Sequence, residues 1–113
     1  MWHIRPAAMA FAMISSSAAM AQTTVVVMTE FGRRVAENGS RGTDHGAAAP
    51  MFLFGDKVKG GVHGNPPNLS DLTDGDVKHQ IDFRQVYAAV LENWLGTKPE
   101  QVLSQKFEKI PVV

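Results

Sequence analysis

An α/β fold is predicted for this chain, and three observations predict it. A β-branched apolar run, Val25-Val26-Val27-Met28, stops abruptly before Thr29-Glu30-Phe31-Gly32. A second apolar run, Met51-Phe52-Leu53-Phe54, is entered by Pro50 and closed by Gly55. Further on, Phe83, Val86, Tyr87, Val90, Leu91, Trp94 and Leu95 recur at the spacing of one helix face. At 113 residues the chain makes one domain, of residues 23–113, behind a leader-like segment of residues 1–22.

The leader stands apart in composition. Met1-Trp2-His3-Ile4-Arg5 is short and basic, and Pro6 to Met20 is uncharged and rich in Ala and Met. Ala19-Met20-Ala21 before Gln22 fits a small-x-small cleavage pattern, as in a secretory signal peptide of an exported or periplasmic bacterial protein. The alternative is an Ala-rich tail. The stretch is too short and weakly apolar for a stable membrane span, which takes about 20 apolar residues.

Each later segment has its own signal. Length and β-branching make Val25–Met28 a buried parallel strand rather than a helix. Residues 33–46 hold Asn38, Gly39, Ser40, Gly42 and Gly46, which is loop chemistry, with Val35-Ala36-Glu37 as a single helical turn at most. Pro50 to Gly55 reads as a second strand. Asp56 to Gly61 is a turn, and residues 60–76, with Pro66-Pro67 and three aspartates, form a long surface loop. Asp82 and Gln85 make a capping-box pair for the helix, Gly96 ends it, and Pro99 starts a second, shorter one. Ile110 to Val113 is an extended tail at a sheet edge.

Composition narrows the chemistry. Eleven basic and eleven acidic residues give a net charge of +0, with no clustered basic stretch to mark a nucleic-acid partner. There is no cysteine, so thiolate chemistry and disulfides are excluded and any metal must take O and N ligands. No G-x-S-x-G elbow, P-loop or H-E-x-x-H helix is present.

The candidates gather past the first strand. Glu30 follows it directly and reads either as a ligand or as an ion-pair partner of Arg33 or Arg34. Those arginines offer guanidinium groups to a phosphate- or sulfate-like anion, or form a solvated turn. Asp44-His45 between glycines suits a hard or borderline dication, and the dipeptide also occurs in ordinary turns. His63 is a further ligand candidate or a solvated loop histidine. His79 reads as structural and Ser40 as a turn residue.

The runs T-T-V-V-V-M-T-E-F-G-R, G-T-D-H-G, P-M-F-L-F-G, V-K-G-G-V-H-G and D-F-R-Q-V-Y-A-A-V-L-E-N-W-L-G together resemble the C-terminal part of exported bacterial proteins called domain of unknown function 1501. The resemblance covers the chain from Thr23 onward. Those proteins look like members of the alkaline phosphatase and sulfatase superfamily, so it implies a mixed or parallel sheet with flanking helices. It also implies divalent metal, Zn, Mn or Ca. On the preferred register Glu30 matches a ligand of one ion and His45 of the other, with Asp44 beside it. On the second register Asp44-His45 is the metal-binding pair and His63 the later histidine. Phe31 departs from the pattern, because many relatives carry His or Asn there. The upstream acidic ligand, the nucleophile and the Asp/His pair of the superfamily have no match in this sequence. The expectation is therefore a C-terminal fragment of a phosphate or sulfate ester hydrolase, inactive alone. Its partner is the missing N-terminal portion or a second copy. The competing expectation is a non-enzymatic exported protein that binds another chain through an open sheet edge and its helix face.

Overall fold

The computed structural model describes residues 21–113. The signal-peptide reading falls almost wholly on residues outside that range. In chain order the elements are β1 (Val25–Val27), β2 (Gly32–Glu37), β3 (Thr43–Gly46), β4 (Phe52–Phe54), β5 (Leu72–Thr73), β6 (Asp76–Val77), α1 (Phe83–Ala89) and α2 (Pro99–Leu103). A π-helical turn, Val90–Trp94, prolongs α1.

The strands pair as three antiparallel ribbons, β1 with β4, β2 with β3, and β5 with β6. No parallel neighbour of β1 occurs among the described residues. Its partner β4 runs the other way, with Val25 opposite Phe54 and Val27 opposite Phe52. A parallel pair needs a crossover of a dozen or more residues, usually a helix. Here the connection from β1 to β4 holds only the β2–β3 hairpin. Nor is β1 buried. Alternation along a strand places Val25, Val27, Phe52 and Phe54 on one face and Val26 and Leu53 on the other. Leu53 packs against the core. On the opposite face Val27 and Phe52 remain 46% and 53% exposed.

Residues 33–46 are a hairpin, not a loop with a helical turn. Asn38 explains it. Its side-chain oxygen accepts the backbone N–H groups of Ser40 at 3.0 Å and Gly42 at 3.1 Å, while its own N–H donates to the Gly42 carbonyl at 2.8 Å. An Asx turn thus reverses the chain. Gly32 is needed at the start of β2, since a Cβ there would lie 1.5 Å from the Ala48 carbonyl oxygen.

The helix follows the sequence signals closely. The Asp82 carboxylate accepts the Arg84 N–H at 2.9 Å, and the Gln85 side-chain oxygen accepts the Asp82 N–H at 3.1 Å. Those bonds satisfy donors that the first helical turn would otherwise leave unpaired. Gly96 ends the helical run with φ of +64°, which glycine adopts without steric cost. Pro99 is the first residue of α2. The core lies between α1 and the C-terminal tail: Val86 and Ala89 are buried with Val112 and Val113, and Met51, Leu53, Ile81, Trp94 and Ile110 pack around them. The tail is therefore core rather than sheet edge, tied in by Lys59 N–H to the Val112 carbonyl at 2.9 Å and by Asn93 Nδ2 to the Val113 carbonyl at 3.0 Å. No helix among the described residues is long and apolar enough to cross a membrane.

Candidate functional site

The β2–β3 hairpin carries most of the residues singled out by sequence. Cross-strand pairing sets Gly32 opposite Gly46 and Arg33 opposite His45, then jumps to Glu37 opposite Thr43. Arg34, Val35 and Ala36 thus share Asp44 as their only counterpart, which is a bulge. Bulges twist a ribbon and redirect its side chains, and they are common beside functional sites.

His45 is held by a ring, not by a polar partner. Its imidazole stacks on Phe31 with centroids 3.6 Å apart and planes at 13°. The Arg33 guanidinium lies 5.3 Å from the Phe31 centroid. Arg33 Nη1 donates to the Thr43 carbonyl at 2.8 Å, which spans the mouth of the hairpin. Phe31 cannot ligate, and in the sequence it stands out only as a departure from the family pattern. Its position directly before the strand opposite His45 was the signal that it serves as a platform.

Asp44 is engaged elsewhere. It accepts a hydrogen bond from Asn38 Nδ2 at 2.9 Å. Arg33, Arg34, Asn38, Thr43, Asp44 and His45 line a shallow, open cleft of about 560 Å³. Arg34 is partly committed, since its Nε lies 3.3 Å from Asp76 Oδ1. Glu30 is exposed at the bend before Phe31 and does not line the cleft. His63 belongs to a different place. Its Nε2 donates to the Lys59 carbonyl at 3.1 Å, and it lines a separate, larger cavity together with His79.

A divalent metal does not find a complete site here. Among the described residues no three His, Asp or Glu side chains converge as a metal-holding group. A metal centre built from protein alone takes three or four such donors. The geometry brings together His45, Arg33 and the Phe31 platform, with Glu30 one residue away in sequence. It separates His63 from them and ties Asp44 to Asn38.

The pKa shifts with a clear structural cause, at Asp82 and its partner Arg84, lie outside this cleft. The Arg84 guanidinium, and then the Arg84 backbone N–H, hold the Asp82 carboxyl at about 2. That shift reports helix capping and not chemistry.

The family model described as Protein of unknown function (DUF1501) matches residues 8–108. No curated protein and no solved structure matches the chain.

Proposed function

The chain belongs to the DUF1501 family, and from that premise we propose that it supplies one flank of a divalent-metal site of the kind used for phosphate or sulfate ester hydrolysis. The family would then be a branch of the alkaline phosphatase and sulfatase superfamily. The described strands would be the C-terminal portion of its larger mixed or parallel sheet. The observation that carries the reading is His45, an exposed imidazole fixed in orientation by the Phe31 stack. A ligand histidine must present one ring nitrogen to the ion in a set direction, and the stack on Phe31 engages the face of the His45 ring and not its nitrogens. Arg33, one strand away and opposite in register, would meet an anionic ester oxygen.

On this reading Glu30 and His45 each contribute to an ion, Zn, Mn or Ca. The other ligands and the nucleophile come from another segment or chain. On this reading the chain carries out no hydrolytic step by itself. The leader-like composition of residues 1–22 goes with export to the periplasm. The test is turnover of aryl phosphate and aryl sulfate esters by the purified chain with each of the three metals. No turnover above buffer is expected. Metal-dependent turnover abolished by His45→Ala would overturn the inactive-alone reading.

A second reading has its own supporting observation. The outer face of the β1–β4 ribbon bears Phe52 and Phe54, 53% and 39% exposed, beside Val27 at 46%. That face suits a second copy better than the helix does, because the C-terminal tail already covers Val86 and Ala89. Its test is the oligomeric state in solution. Dimers at micromolar concentration that dissociate in Phe52→Ser would support it, and a monomer at all accessible concentrations would dispose of it.

A further inference from the structure

The larger cavity, about 710 Å³, shares no lining residue with the hairpin cleft. Its walls are the segment Ala48–Phe54, the loop Lys59–Asn65 and the run Val77–Ile81. Its floor is Val86, Ile110 and Val112. The volume falls within the range of about 300–1,000 Å³ usual for small-molecule sites.

Two of those walls are tied together. Asn65 N–H donates to Gln80 Oε1 at 2.8 Å, and Gln80 Nε2 donates back to the Asn65 carbonyl at 3.0 Å. Gly64, at φ of +92°, passes so close to Ile81 that a Cβ would lie 3.3 Å from its Cδ1. Those two walls are thus hydrogen-bonded to each other and closely fitted where they meet.

Charge in the cavity has one sign. None of the lining residues is acidic, and two are lysines. Lys78 is already paired with Asp71 at 2.5 Å. Lys59 has no carboxylate partner among the described residues, and its backbone is pinned by the Val112 carbonyl and by His63. His79 also reaches the lining and offers a ring N–H. An apolar floor beside an exposed lysine that has no carboxylate partner among the described residues complements a molecule with an apolar body and one negative head.

We propose that this cavity binds an amphipathic organic monoanion, an unbranched acyl carboxylate, with its chain along Leu53, Val86 and Ile110 and its head at Lys59 and His79. The site is independent of the hairpin cleft and of any metal. The carboxylate supplies the counter-charge that Lys59 lacks, and a charge-assisted hydrogen bond contributes about 1.5–3 kcal/mol, which is about tenfold or more in affinity.

The experiment is titration of the full chain with decanoate below its micelle threshold. It is followed by calorimetry and by methyl NMR, with decanol and acetate as comparators. Saturable one-to-one binding of decanoate is expected, with shifts at the methyls of Leu53, Val86 and Ile110. Decanol should bind about tenfold more weakly, and acetate should show no saturable binding. Lys59→Gln should weaken decanoate by a similar factor while leaving decanol and the far-UV spectrum unchanged, and His79→Gln should weaken it in the same direction. Equal affinity for decanoate and decanol, an unaffected Lys59→Gln variant, or shifts confined to Val25 and Val27 on the outer ribbon face would each overturn the assignment.

Discussion

His45 and Asp82 are the residues whose surroundings speak most directly. Phe31 stacks on His45 nearly face to face, so the His45 ring protons lie in the shielding cone of the phenyl ring. Phe31→Ala should move those resonances downfield and cost about 0.5–1.5 kcal/mol of stability, the usual worth of an aromatic pair beyond its burial. Unmoved resonances would mean that the stack does not persist in solution. Asp82 is different in kind. Its carboxyl is held at about 2, first by the Arg84 guanidinium and then by the Arg84 N–H. A carboxyl lowered on folding stabilises the protein at pH values above its unfolded pKa, about 3.9. That contribution should fade as pH falls from about 4 towards 2. Urea midpoints across this range should show the loss in the wild type, and Asp82→Asn should lack that component.

The elements were legible where a single face or cap decided them. The spacing from Phe83 to Leu95, the Asp82–Gln85 pair, Gly96 and Pro99 each named a helix boundary, and each is where the sequence reading put it. Removing the cap should therefore act on α1 alone: Asp82→Ala should cost about 1 kcal/mol, seen as a lower urea midpoint with an unchanged slope. The burial pattern was less legible. Phe83 and Leu95 are 48% and 59% exposed, while Ala88 and Ala89 are fully buried. Small residues let the middle of α1 approach its neighbours closely, and hydrophobic periodicity gives no weight to alanine. The β2–β3 hairpin was missed for a related reason. Arg33 to Glu37 has no apolar alternation because the strand covers no core. Only Asn38 with Gly39, Ser40 and Gly42 betrayed the reversal, and turn residues fit a loop and a hairpin equally well. The direction of β1 was not legible at all. A short β-branched run says that a strand forms, not which way its neighbour runs.

At the scale of the molecule, the described residues form three separate two-stranded ribbons around one small core of Val86, Ala89, Val112 and Val113. A two-stranded ribbon is marginal in water unless something packs on it, and here only β4 is seated on the core, through Leu53. On the far face of that ribbon Val27 and Phe52 are 46% and 53% exposed. At the hairpin no three His, Asp or Glu side chains converge among the described residues, and the proposed metal site would take one flank from it. The histidines therefore discriminate most sharply. With Zn²⁺ titrated into the full chain and followed by NMR of the imidazole resonances, His45 should shift or broaden at the lowest metal concentration, ahead of His63 and His79, and Glu30→Gln should weaken that response. A His45 signal that stays put while His63 responds would contradict the account.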